Sequence, residues 1–218
     1  MYKIAIDGPA GAGKSTIAKI VAKKLNIEYI DTGAMYRAIT LKALKLGIDM
    51  EDEFAYDFLD DTQLDICNGR VIMDHQDVSE AIRTVKVTEN VSTPSKIARV
   101  RSFLVDYQRK ISESKSIIMD GRDIGTVVLP NAELKIYLTA SVECRALRRM
   151  LEREASGVFK SLEETMIEIE TRDHKDSTRK ISPLKCAEDA IVVDSSDMTI
   201  DEVVSEIIKL VNERGLIK

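Results

Sequence analysis

The sequence has only three cysteines and two histidines among 218 residues. Cys67, Cys144 and Cys186 lie far apart, and no pair has the spacing of a metal knuckle or a redox motif. Reduced, mostly buried thiols in a cytoplasm are therefore expected. His75 and His174 are isolated, so no metal site is expected on them. No apolar run is long enough to cross a bilayer. Met1 runs straight into the first apolar strand, which leaves no room for a signal peptide. A basic excess is also missing. Thirty-two Lys+Arg against 37 Asp+Glu leave a net charge of −5, which argues against general nucleic-acid binding. There is no repeat, low-complexity segment or flexible linker. What remains is a chain with 44% hydrophobic residues, ample for one α/β core with inserted lobes.

One stretch organises that chain. Gly8-Pro9-Ala10-Gly11-Ala12-Gly13-Lys14-Ser15-Thr16 fits G-x-x-x-x-G-K-[ST], the phosphate-binding P-loop. Its flanks fit as well. Residues 2–7 read as a short buried strand, and Ile17, Ile20, Val21 and Leu25 recur at helical spacing. Triphosphate oxygens approach the backbone closely, so side chains must be absent where the loop wraps them. Gly8, Gly11 and Gly13 also permit unusual backbone angles. Loop N–H groups and the positive end of the following helix then face the anion. Lys14 can reach the β- and γ-phosphates, and the Ser15 hydroxyl can ligate Mg²⁺.

Further strands are expected at 28–31, 116–120, 134–138 and 190–194, with helices between them. Helices read over 32–46, stopped by Gly47, and from Thr199, where Thr199 and Glu202 form a capping box. Arg37, near the start of the former, opposes the helix dipole, which suits a ligand role, although a solvated surface arginine accounts for it equally well. Residues 49–61 read as acidic and peripheral. Short apolar runs over 63–87, with Asn68-Gly69 between two of them, predict a small antiparallel insert. A helix within 92–112 carries Ile97, Val100, Leu104, Tyr107 and Ile111 on one face, with Arg99, Arg101 and Arg109 elsewhere. The alternation of strands and helices implies a parallel α/β sheet with ligands at the carboxyl edge of its strands. Asp7, Asp31 and Asp120 are potential neighbours there, and Asp120 could hold or orient Mg²⁺.

Arginines cluster late in the chain. Arg145, Arg149 and Arg153 recur at i, i+4 and i+8, with Arg148 beside them, and Arg172 to Lys180 is basic again. Two basic helices joined by a short connection could fold over a phosphate chain as a lid. The guanidinium fork grips phosphate oxygens and stays charged. Closure excludes water from a transferring phosphoryl group. Many arginines with no obvious general base suit transfer between two bound phosphates, because a phosphate acceptor is already an anion.

With these residues assembled, the chain resembles the bacterial cytidylate kinases over essentially its whole length. The resemblance is carried by I-A-I-D-G-P-A-G-A-G-K-S-T, D-T-G-A-M-Y-R, D-G-R-D-I-G-T-V-V-L-P and R-D-H-K-D-S-T-R. It implies a three-layer P-loop fold whose five-stranded parallel sheet has the order 2-3-1-4-5. It implies one kinase domain over 1–218, with a core of 1–35, 111–150 and 174–218. The nucleoside-monophosphate lobe, with its small antiparallel sheet, would span 36–110 and the lid 151–173. The implied reaction is transfer of the γ-phosphoryl group of ATP to CMP or dCMP with Mg²⁺, in a cytoplasmic monomer. By the same resemblance Arg37, Arg122 and Arg179 surround the CMP phosphate, and Ser92, Arg101 and Asp123 meet the cytosine edge. Arg172 and Asp176 contact the sugar. Thr32 stands where the family often has serine and is expected among the substrate contacts. Lys14, Arg122, Arg179 and, from the lid, Arg149 are expected at the transferring group. Ser15 is the expected metal ligand, with Asp120 beside it or one shell out.

Two rivals stand beside this expectation. One is a small-molecule kinase of the same fold acting on a sugar or shikimate-like hydroxyl. The other is a nucleotide-dependent switch or binding module, although no N-K-x-D and no L-S-G-G-Q stretch occurs.

Overall fold

The structure is a computed structural model, and it describes residues 1–67, 69–155 and 157–217. Eight strands and seven α-helices are assigned among them. In chain order they are β1 (Lys3–Asp7), α1 (Lys14–Leu25), β2 (Glu28–Asp31), α2 (Thr32–Leu46), β3 (Leu64–Cys67), β4 (Arg70–Met73), β5 (Gln76–Asp77), α3 (Val85–Asn90), α4 (Ala98–Ser112), β6 (Ile117–Gly121), β7 (Leu134–Thr139), α5 (Val142–Glu154), α6 (Leu162–Thr178), β8 (Ile191–Asp194) and α7 (Ile200–Glu213). The chain divides into two units, Met1–Tyr29 with Lys115–Lys218 and, between them, Ile30–Ser114.

The large sheet has the order β2-β6-β1-β7-β8, with β6–β1, β1–β7 and β7–β8 paired in parallel. With the three strands of the small sheet left out of the count, this is the expected 2-3-1-4-5. Strand β1 is buried along nearly its whole length because it is central and covered on both faces. Ile4 and Ile6 share one side of it and join Ile118, Leu134, Ile136, Leu138 and Val193 in a single apolar cluster. Helices α1 and α7 cover that side with Ile17, Val21, Val203, Val204, Ile207 and Val211. The capping box that starts α7 forms as expected between Thr199 and Glu202.

In the second unit, β3-β4-β5 form a small antiparallel sheet. The expected Asn68-Gly69 turn falls partly outside the described residues at Asn68, while Gly69 takes φ 76 at the foot of β4. Two expectations need correction here. Val85 and Val87 belong to the helix α3, because two apolar residues at i and i+2 cannot separate a strand from a short helix. The segment 49–61 is more than an acidic periphery. It forms 3₁₀ turns in which Tyr56 is fully buried and donates its hydroxyl to the Met50 carbonyl at 2.8 Å. Arg101 lies off the apolar stripe of α4, yet it is buried.

A buried carboxylate ties the end of β1 to the segment after β6. Asp7 accepts backbone N–H bonds from Ile124 at 2.8 Å and Gly125 at 2.7 Å. Burial pushes its carboxyl up to about 6, against the lowering effect of those two N–H bonds; the Asp123 charge raises it further and Lys14 lowers it. A carboxyl raised in the folded state favours folding fully below its unfolded value of 3.8, and this contribution fades as pH rises through about 6. The unfolding free energy of the wild type relative to Asp7→Asn should therefore fall by roughly 2 kcal/mol between pH 4 and pH 7. Denaturant melts at the two pH values check this, and a difference that does not change with pH would contradict it.

Candidate active site

The loop between β1 and α1 is shaped by the protein's own backbone. Gly8 has φ 149, and a Cβ there would lie 2.0 Å from the Leu138 carbonyl oxygen of β7. Gly11 has φ 75, and a Cβ there would lie 2.9 Å from the carbonyl oxygen of Arg145 in α5. Both positions exclude any side chain before a ligand is considered. Helix α1 begins at Lys14 directly after the loop and has no acidic residue in its first turn, so the positive end of its dipole is uncompensated.

Lys14 is buried, and its ammonium donates to the Pro9 carbonyl at 2.6 Å. Burial lowers it well below the ordinary lysine range. Arg122 and Arg172 lower it further, against the raising effect of Asp120 and Asp7. Ser15, next on α1, donates its hydroxyl to Asp120 Oδ2 at 2.7 Å. Asp120 is the penultimate residue of β6 and is buried. A hydroxyl and a carboxylate beside a phosphate-binding loop form an oxygen donor set suited to a hard divalent cation, which needs few protein ligands when phosphates supply the rest. Among the described residues there is no group of three or more His, Cys, Asp or Glu arranged to hold a metal by themselves.

The segment after Asp120 places two arginines beside two carboxylates. Arg122 donates from Nε to Asp176 Oδ2 at 2.9 Å. Arg179 lies 3.4 Å from Asp123 Oδ1 and donates from Nε to the Ser182 carbonyl at 2.5 Å. Burial would raise the Asp176 carboxyl, but Arg122, Arg172 and Arg179 outweigh it and hold it below the ordinary range. Burial likewise works against the Arg122 charge, and Asp176, with Asp173 and Asp120, more than restores it. Lys14, Arg122, Arg172, Asp176, Arg179 and Asp123 thus form one connected charge cluster in the first unit.

The α5 arginines do less for an open lid than their spacing predicts. Arg145 is buried and donates from Nη1 to the Ala10 carbonyl at 2.8 Å and to Asp173 at 2.5 Å. Arg148 donates to the Ser195 carbonyl at 2.6 Å. Arg149 pairs with Glu152 at 3.2 Å and Arg153 with Glu168 at 2.7 Å. The picture of two basic helices needs correction, because α6 opens with Glu163 and Glu164, and its Glu168 takes both Arg153 and Lys160. Asp173, to which sequence reasoning gave no role, accepts the Ala10 N–H at 2.9 Å and so ties α6 to the P-loop. It sits inside the R-D-H-K-D-S-T-R stretch, so its position was visible although its partner was not.

The second unit holds the remaining candidates. Arg37 pairs with Asp31 at 3.0 Å, and Asp31 also caps α2 by accepting the Ala34 N–H at 2.9 Å. The cation near a helix start is thus answered by the capping carboxylate. Arg101 sits 5.4 Å from the Tyr36 ring centroid and donates to the Ser95 carbonyl at 3.3 Å. Thr32 is buried in the first turn of α2, and Ser92 is half-buried ahead of α4.

Comparison with known proteins points in one direction. The sequence model of the cytidylate kinase family matches residues 4–213. A cytidylate kinase from Pediococcus pentosaceus is 54% identical over 215 residues, covering 96% of this chain and 95% of that one. One from Desulforamulus reducens is 55% identical over 216 residues, covering 97% of each. An uncharacterized protein from Eubacterium ventriosum shares the fold, with a TM-score of 0.55 at 14% identity over 97% of this chain and 99% of its own. With the P-loop and its charge cluster in place, these matches show that the chain belongs to the cytidylate kinase family.

Proposed function

We propose that the protein transfers the γ-phosphoryl group of ATP to CMP or dCMP, giving ADP and CDP or dCDP. The observation that carries this reading is the convergence of Lys14, Arg122, Arg172 and Arg179 at the carboxyl edge of β1 and β6, close enough to shift one another's charge states or to act on a shared carboxylate. Holding one buried and three half-buried cations at one strand edge costs free energy that a bound polyanion would offset. The family resemblance supplies the identity of that anion.

In this reading the P-loop amides and Lys14 take the β- and γ-phosphates of ATP. Ser15, oriented by Asp120, would hold Mg²⁺, which would supply charge neutralisation to the triphosphate. A CMP phosphate oxygen bonds to the γ-phosphorus as the bond from phosphorus to the bridging β,γ-oxygen breaks in line. Arg122 and Arg179, with Arg149 from α5, stabilise the charge spread over the transferring group. Each of these arginines then exchanges a carboxylate partner for phosphate oxygens. Arg37 is a further contact to the CMP phosphate, Arg172 and Asp176 to the sugar, and Thr32, Ser92 and Arg101 to the nucleoside. The Asp123 carboxylate accepts from the cytosine amine, where uracil offers a carbonyl, and a mismatched buried pair is strongly rejected. Free thiols at Cys144 and Cys186 suit a reducing cytoplasm.

A coupled assay tests the reading. ADP should form on addition of CMP or dCMP and not of UMP, AMP or shikimate. Slow ATP hydrolysis indifferent to acceptor would overturn it. Arg179→Ala should lower turnover with CMP by about 10²–10³-fold while ATP affinity survives, and wild-type turnover would remove Arg179 from the acceptor site. Asp123→Ala should shrink the CMP/UMP preference in kcat/KM by at least about tenfold. An unchanged preference would count against its assigned contact.

A further inference from the structure

Asp120 receives two hydroxyl donors, one on each oxygen. Ser15 Oγ donates to Oδ2 at 2.7 Å, and the Tyr29 phenol donates to Oδ1 at 2.8 Å. The carboxylate is buried at the end of β6, and Tyr29 reaches it from β2. The Tyr29 ring is itself covered by the Lys19 ammonium, 5.7 Å from the ring centroid. Ser15 and Lys19 are i, i+4 on α1, so one face of that helix meets both ends of the Asp120–Tyr29 pair.

We propose that Tyr29 is a positioning residue for the divalent cation at Ser15, acting through Asp120. The inference rests on the reading of Ser15 as a metal ligand. A serine can ligate a cation while donating its proton elsewhere only if an acceptor is fixed on its far side. Asp120 Oδ2 is that acceptor, and it directs the Ser15 proton away so that the oxygen lone pairs are left for the cation. A carboxylate tied through one oxygen can rotate about its Cβ–Cγ bond. The second tie from Tyr29 opposes that rotation and keeps Asp120 from swinging out of its supporting place. Such supporting hydrogen bonds commonly contribute 10–100-fold in metal affinity. The Lys19 contact keeps the ring over α1 and links Tyr29 to the helix that carries Ser15.

The test is Tyr29→Phe, which removes the hydroxyl and keeps the ring. ATP binding by the full chain is measured by calorimetry across a Mg²⁺ titration and again in excess EDTA. The Mg²⁺ concentration at which ATP affinity is half-enhanced should rise about tenfold, with EDTA-state ATP affinity unchanged within twofold. Mn²⁺ titrated in place of Mg²⁺ should show the same displacement by electron paramagnetic resonance. Ser15→Ala is run in parallel. If Ser15→Ala shifts the Mg²⁺ dependence and Tyr29→Phe does not, the positioning role is overturned while the metal reading stands. If neither shifts it, the metal reading fails and the proposal falls with it. Equal weakening of ATP binding with and without Mg²⁺ in Tyr29→Phe would reduce Tyr29 to a structural residue and also overturn the proposal.

Discussion

A lysine ammonium buried at the start of a helix, with further arginine charge close by, is the constraint on which the first unit is built. Lys14 has the Pro9 carbonyl as a partner at 2.6 Å, and its surroundings push its charge toward neutrality. Three mutually repelling pressures meet there: loss of water, the Arg122 charge and the Arg172 charge. The protein tolerates this arrangement by surrounding it with carboxylates. Asp176 steadies Arg122, Asp123 lies against Arg179, and Asp120 faces Ser15. In the proposed reaction, phosphate oxygens would relieve the same strain from outside, so that a site uncomfortable in isolation favours phosphate binding.

Close packing of backbone makes that constraint possible. Gly8 lies under the Leu138 carbonyl and Gly11 under that of Arg145, so β7 and α5 mould the loop from beneath. Arg145 then grips the Ala10 carbonyl, and Asp173 takes the Ala10 N–H. One residue of the loop is thereby held through both of its backbone polar groups by α5 and α6. Those helices are therefore tied directly to the phosphate-binding loop. Asp7 makes the complementary tie on the other side, from the end of β1 to the turn that follows Asp123. The loop, α5, α6 and the Asp123 segment are thereby joined by one set of buried ties.

Much of this could be read from the chain. The glycines, lysine and serine of 8–16 identify themselves by spacing, and the strand before and helix after them follow from apolar periodicity. The alternation of strands and helices gives a parallel sheet, but its strand order comes only through the resemblance to the cytidylate kinases. Local pattern falls short wherever a partner lies far away in sequence. The i, i+4, i+8 arginines of α5 are on one helix, but spacing cannot say that Arg145 would turn to a loop carbonyl 135 residues away. Glycine needs in the P-loop were legible as ligand clearance, whereas the contacts that forbid a side chain come from β7 and α5. Tyr29 carries no motif at all, and only the pairing of β2 beside β6 gives its hydroxyl something to hold. Val85 and Val87 were misread because two valines without a longer period fit either element.

The most direct test of the central claim is the titration of the Lys14 ammonium itself. NMR of side-chain-labelled lysine, with the Lys14 resonance assigned by its loss in Lys14→Met, follows that group with and without ATP. The account predicts a midpoint well below the ordinary lysine value in the free protein, because burial and Arg122 disfavour the charge. It predicts an upward move once phosphate oxygens replace the Pro9 carbonyl. A Lys14 that titrates like a surface lysine, or whose titration ATP leaves unchanged, would contradict it.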